Sequence, residues 1–182
     1  ARHRRKAAGP RGAAAFFAAF RHLLKQDLGF DGRHRRPPTD PINVLLSYGY
    51  TLLMNHVLSA VQIAGFDPYI GFLHSEGYGK PALALDLMEE MRTPIVDSVV
   101  MTVINKGILR AEHFEDVLGI HRLTVSGRKL YLQQFEQRLN TEIEHPVFKY
   151  KATYRRCLEL QARLLAKFVL GELPEYRPFQ IR

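Results

Sequence analysis

From Ile42 to Phe66 the chain carries no Asp, Glu, Lys or Arg, and no other feature limits its possible folds as strongly. A stretch of that length and composition raises the question of a membrane span. Asn43, Ser47, Thr51, Asn55, Ser59 and Gln62 recur along it every three or four residues. A helix over this segment therefore has a polar stripe down one side, to which His56 adds a further polar group. Small polar groups so arranged suit a core helix in a helical bundle, or the wall of a site, better than contact with lipid. No membrane is expected as a partner.

The flanking segments also read as helical. Gly12 to Leu28 is Ala-rich and sets Phe16, Phe20, Leu23 and Leu24 on one face, with Gly29 placed to end the helix. The prolines at 37, 38 and 41 make the next stretch a loop. Pro81 is suited to open a helix, PALALDLMEEMR, which Pro94 interrupts before an apolar helix from Ile95 to Asn105. A short element around His113 to Leu118 leads into a turn or extended piece. Thr124 or Ser126 then caps a helix running to about Glu144. A last helix is predicted from Pro146 to Gly171, with Tyr154, Leu158, Leu164, Leu165 and Phe168 on its apolar face. The expected architecture is all-α: a basic arm over residues 1–11, a single multi-helix domain over 12–172, and an extended tail over 173–182.

Charge is distributed unevenly. Residues 1–36 hold ten Lys or Arg against Asp27 and Asp31, which accounts for the whole net charge of +8. Arg2, Arg4, Arg5 and Lys6, with Arg33, Arg35 and Arg36, form a stretch that either meets a phosphate backbone or stays solvated. Cys157 is the only cysteine, so neither an internal disulfide nor a cysteine zinc site is available. That usage fits a reducing compartment, most simply a cytoplasm, and no secretory signal pattern is read at the N-terminus.

The chemistry on offer lies between residues 71 and 92. At about 100° per residue, Asp86, Glu89 and Glu90 fall within about 100° of one another on their helix. His74 stands upstream across a loop with Gly77, Gly79 and Pro81, which could fold it back toward the first turns of that helix. An imidazole and two carboxylates meeting there would suit Mg²⁺ or Mn²⁺. On spacing alone, a solvated acidic face and a hydrogen-bonding loop histidine account for the same residues. No phosphate-binding glycine loop, Ser-His-Asp set or cysteine nucleophile competes with this site.

The segment from Gly32 to Val100, with RLTVSGRKLYLQQFEQRL (residues 122–139) and the ending YRPFQIR, resembles the CRISPR-associated integrase that inserts new spacers. The likeness runs from Gly12 onward. It implies an α-helical catalytic domain that cuts and joins DNA through 3′-hydroxyl attack on a phosphodiester. The metal, Mg²⁺ or Mn²⁺, would be held by a glutamate, a histidine and a second acid. His74 matches the histidine and Glu89 the second acid, with Asp86 as a nearby helper. Arg33, Arg35, Arg36, Lys106 and Arg110 are candidates for holding the DNA backbone, or ordinary surface charges. Tyr48 and Tyr50 either stack on nucleic acid or belong to the core. The implied partners are DNA, a second copy of the chain in a homodimer, and a small ferredoxin-like companion subunit.

The sequence departs from the family pattern in two ways. The first glutamate ligand is expected before a glycine at the start of the Ala-rich helix, where this chain has Arg11-Gly12, and no acid occurs before Asp27. A cation at that place opposes the charge balance a divalent site requires. The resemblance also implies an N-terminal β-rich domain, for which these residues leave no room. The alternative to an enzyme is therefore a DNA-binding scaffold of the same family. A third reading is a helical bundle whose acidic face is merely wet.

Overall fold

The computed structural model describes residues 10–34, 37–69 and 81–180, and these are mostly helical. In chain order they form α1 (Pro10–Leu23), α2 (Pro41–Ile63), α3 (Ala82–Met91), α4 (Ser98–Asn105), α5 (Val125–Leu139) and α6 (Tyr154–Val169). Two short antiparallel hairpins interrupt them, β1 (Phe114–Val117) with β2 (Ile120–Leu123) and β3 (Glu142–Glu144) with β4 (Lys151–Thr153). The chain divides into two compact units, Ala1–Ser47 with Val100–Leu132, and Tyr48–Val99 with Gln133–Arg182. Helices α2, α4 and α5 each give residues to both.

In the first unit, α1 stops at Leu23 rather than Leu28. The Asn105 side chain donates to the Leu23 carbonyl at 2.9 Å and accepts from the Lys25 amide at 2.8 Å, so it satisfies the helix end. Gly29, with φ +75°, turns the chain afterwards. Phe20 and Phe30 are buried and meet edge to face at 6.0 Å, whereas Phe16 and Leu23 are exposed. Asp40 caps α2 by accepting from the Asn43 amide at 2.9 Å, directly before Pro41 at the first helical position. Asn43, fully buried, ties the preceding loop to α2 through the Gly32 carbonyl at 2.8 Å. Hairpin β1–β2 turns at Leu118 and Gly119, both at positive φ. Thr124 caps α5, its hydroxyl accepting from the Gly127 amide at 3.1 Å.

In the second unit, α2 buries Leu53, Val57, Ala60 and Val61 while Thr51, Asn55, Ser59 and Gln62 are exposed. The predicted polar stripe is exposed from Thr51 onward, but its start is not: Asn43 is buried and Ser47 half-buried because they bond to the loop before the helix, and His56 is half-buried. By length and composition this helix could cross a membrane, yet 44% of its most apolar window is buried within the protein.

Pro94 does not end the helical path. A proline clashes with the carbonyl four residues back, and here residues Arg92–Asp97 widen into a π-helical turn, with the Ser98 amide bonding to the Thr93 carbonyl. Between α5 and α6 the predicted continuous helices give way to hairpin β3–β4, and α6 begins at Tyr154, capped by Thr153. The last residues fold back, and Phe179 is buried.

Candidate functional site

Helix α3 and the π-helical turn after it lie in the second unit and carry the acidic face. Leu83, Ala84, Leu87, Met88 and Met91 are buried and anchor α3. Asp86 is half-buried. Glu89 is exposed, and its carboxylate pairs with the Arg92 guanidinium at 2.6 Å, one turn further on. That guanidinium sits 5.3 Å from the centre of the Tyr50 ring, and the Tyr50 hydroxyl donates to the Asp97 carboxylate at 2.6 Å. Asp97 is 1% exposed. In energy the partly exposed Glu89–Arg92 pair is worth under about 1 kcal/mol. Its larger effect is directional, because it restrains the Glu89 carboxylate.

Glu90 goes elsewhere. Its carboxylate accepts from Gln161 Nε2 at 2.9 Å, from the Tyr176 hydroxyl at 2.8 Å and from the Phe179 amide at 2.8 Å. Burial raises its pKa from the ordinary carboxylate value, and the bonds from Phe179, Tyr176 and Gln161 hold it back. Burial and the adjacent Glu90 charge also push the Tyr176 hydroxyl well above its ordinary value. The structure thus divides the predicted acidic face by partner: Glu89 pairs with Arg92, whereas Glu90 is bonded to Gln161 on α6 and to Tyr176 and Phe179, with Asp86 one turn before both. Sequence reasoning missed this network. Its available signal was Gln161, a polar residue between Leu160 and Leu164 on the apolar face of α6.

His74 lies outside the described residues, as do Arg35 and Arg36. Among the described residues no group of three or more metal-ligating side chains converges, so Asp86 and Glu89 stand as two oxygen donors one turn apart. Tyr50 is half-buried and tied to Asp97 and Arg92, and Tyr48 is half-buried as well. Within the first unit, α1 opens at Pro10 with no acid in its first turn. The Arg33 guanidinium bonds to Asn43 Oδ1 at 2.8 Å and to the Ser47 hydroxyl at 3.0 Å, which makes it a tie between its loop and α2. Lys106 and Arg110 are exposed, and Arg110 Nε donates to the Gly107 carbonyl at 3.1 Å.

A sequence model of CRISPR associated protein Cas1 matches residues 9–137, well over half the chain. The chain belongs to the Cas1 family. A relative from Thermus thermophilus, CRISPR-associated endonuclease Cas1 3, is 47% identical over 172 residues, covering 94% of this chain and 52% of the relative. Among solved structures, a casposase bound to integration product superposes with a TM-score of 0.82 at 27% identity, over 94% of this chain and 51% of that one. A Cas6-RT-Cas1–Cas2 complex matches with a TM-score of 0.80 at 30% identity, over 94% of this chain and 19% of that one. The chain spans about half the length of the Thermus relative and of the casposase.

In this Cas1-family chain, then, α3 presents two carboxylates on a buried, apolar footing. One is held by a cation–π-supported arginine, beside a third carboxylate used for packing. Carboxylate oxygens are the donor type that Mg²⁺ or Mn²⁺ takes, although among the described residues they do not gather into a group of three.

Proposed function

We propose that this chain is the helical catalytic portion of a metal-dependent DNA endonuclease and integrase, one that inserts foreign DNA fragments as spacers into a CRISPR array. The observation that carries the reading is the superposition on a casposase solved with its integration product, over 94% of this chain. Asp86 and Glu89 on α3 supply donors of the right kind, and Mg²⁺ or Mn²⁺ is the cation their oxygen chemistry fits. His74 would complete the set.

The reaction is an in-line displacement at phosphorus. A P–O bond forms to a DNA 3′ oxygen, or to water in the cutting direction, as the P–O bond to the leaving oxygen breaks. A bound divalent cation supplies Lewis acidity toward the phosphodiester oxygens. Arg92 holds the Glu89 carboxylate in place between turns of reaction. Lys106 and Arg110 offer exposed cations for the DNA backbone, with Arg35 and Arg36 from the basic stretch. Arg33 acts by fixing its loop. The implied partners are DNA, a second copy of the chain and a small ferredoxin-like subunit, all in the cytoplasm. The relative solved in a Cas6-RT-Cas1–Cas2 complex supports a companion protein.

The test is incubation with a short duplex bearing free 3′-hydroxyls, a repeat-containing plasmid and Mn²⁺. Joined or nicked products are expected from the parent chain and not from His74→Ala or Glu89→Ala. DNA binding without any metal-dependent product would replace the enzyme with a scaffold. A specific observation favours that second reading: α1 holds no acid in its first turn, where the family resemblance expects a glutamate and Arg11 stands instead. Arg11→Glu should then raise product formation, and an unchanged yield would show that Arg11 does not occupy a ligand position.

A further inference from the structure

Glu89 and Glu90 are adjacent and chemically identical, and a turn of α3 by about 100° would point one of them in the direction the other now takes. The fold tells them apart through contacts far away in sequence. Glu90 is gripped by Gln161 on α6, by the Tyr176 hydroxyl and by the backbone amide of Phe179, at separations of 71, 86 and 89 residues. Gln161 Nε2 also donates to the Tyr176 hydroxyl at 2.9 Å, so the donors are linked to one another. Phe179 is 3% exposed and meets the His145 ring at 5.7 Å and the Tyr154 ring at 6.4 Å, which anchors the segment independently of Glu90.

A buried carboxylate held by neutral donors is a poor source of stability, since an apolar side chain of similar size often does as well or better. What such a network supplies is direction: it accepts one rotation of α3 and rejects its neighbours. That rotation also aims Asp86 and Glu89, which stand on the same helix within one turn or so of Glu90.

We infer that the carboxyl-terminal segment is a latch on α3, with Glu90, Tyr176 and Gln161 as positioning residues for the metal-ligating face formed by Asp86 and Glu89. The inference rests on the function proposed above. It assigns a site role to a segment remote from Asp86 and Glu89 in sequence, and it makes residues 172–180 part of the catalytic scaffold.

The experiment measures Mn²⁺ affinity by titration of free Mn²⁺, alongside thermal stability, in the parent chain, Tyr176→Phe, Gln161→Leu and Phe135→Leu. Tyr176→Phe keeps every carboxylate of α3, so it changes direction and not local charge. Phe135, on α5 and 1% exposed, serves as a packing control in the same unit. Loss of a group bonded directly to a metal ligand weakens affinity by roughly 10–100-fold. Because Tyr176 and Gln161 act one step further out, through Glu90, the expected loss is at the lower end, about 10-fold. That loss is expected in Tyr176→Phe and Gln161→Leu, at a thermal cost no larger than that of Phe135→Leu, whose affinity stays at the parent value. Parent-like Mn²⁺ binding in both network variants overturns the latch. So does an equal loss in Phe135→Leu, because binding would then follow overall stability. Failure of both network variants to fold would make the network structural only. Absence of Mn²⁺ binding in the parent chain brings down the proposed function first, and the latch with it.

Discussion

Replacing Phe179 with Ala tests whether the end of the chain is part of the folded unit. Only 3% of Phe179 is exposed, in contact with the rings of His145 and Tyr154. Removing a buried Phe side chain costs roughly 3–5 kcal/mol, as lost transfer energy plus the cavity left behind. Phe179 lies between half-buried Pro178 and exposed Gln180, outside any helix or strand, so its surroundings can partly collapse into the space and about 3 kcal/mol is the expected loss. For a chain of this size 1 kcal/mol moves the midpoint by about 2–4 °C, giving a fall of about 6–12 °C. Urea unfolding followed by far-ultraviolet circular dichroism gives the free energy, and a thermal scan gives the shift. Gln180→Ala, at the exposed next position, is the internal control and should stay within about 0.5 kcal/mol. A loss for Phe179→Ala no larger than that of the control would show that the last segment is not packed, and the Glu90 network would lose its anchor.

Two further outcomes follow from single residues. A Cβ at Gly127 would stand 2.5 Å from the His113 carbonyl oxygen and 3.1 Å from Leu123 Cδ2. Gly127→Ala should therefore cost about 1–3 kcal/mol in urea unfolding, and a neutral result would mean that the entry to α5 yields freely. His145 is fully buried, with Nδ1 accepting from the amides of Val147 at 3.2 Å and Phe148 at 3.3 Å, and burial lowers its pKa below 6.5. Below that value the unfolded ring binds a proton that the folded ring refuses, so stability is full above pH 6.5 and lost as pH falls beneath it. His56, lowered by burial and by Arg155, acts in the same direction. Urea unfolding at pH values on either side of 6.5 should show the slope, and His145→Phe should reduce it to the His56 share. An unaltered slope would refute the assignment.

Helices that follow from repeating local patterns are legible in the amino-acid sequence. Thr51, Asn55, Ser59 and Gln62 are spaced as a helical stripe and are exposed along α2, because which residues share a helix face depends only on their spacing. For the same reason the face carrying Asp86 and Glu89 can be drawn from the sequence, and Thr124 is one of two candidate caps for α5 there. Element ends are less legible. Asn105 stops α1 from across the first unit, and the β3–β4 hairpin has strands of three residues, too short for an alternation to stand out. Pro94 reads as a break because its steric clash is local, whereas the wider turn that absorbs the clash depends on the packing of Ile95 and Val96.

Within the candidate site, sequence alone determined which residue types share the α3 face. Only the tertiary structure decided that Arg92, one turn from Glu89, also lies over the Tyr50 ring beside Asp97, and that Glu90 turns to Tyr176 and Phe179. Spacing along a helix fixes angles between neighbours. It carries no information about a donor 86 or 89 residues away, which is brought near only when the apolar face of α6 and the Phe179 ring find their buried places.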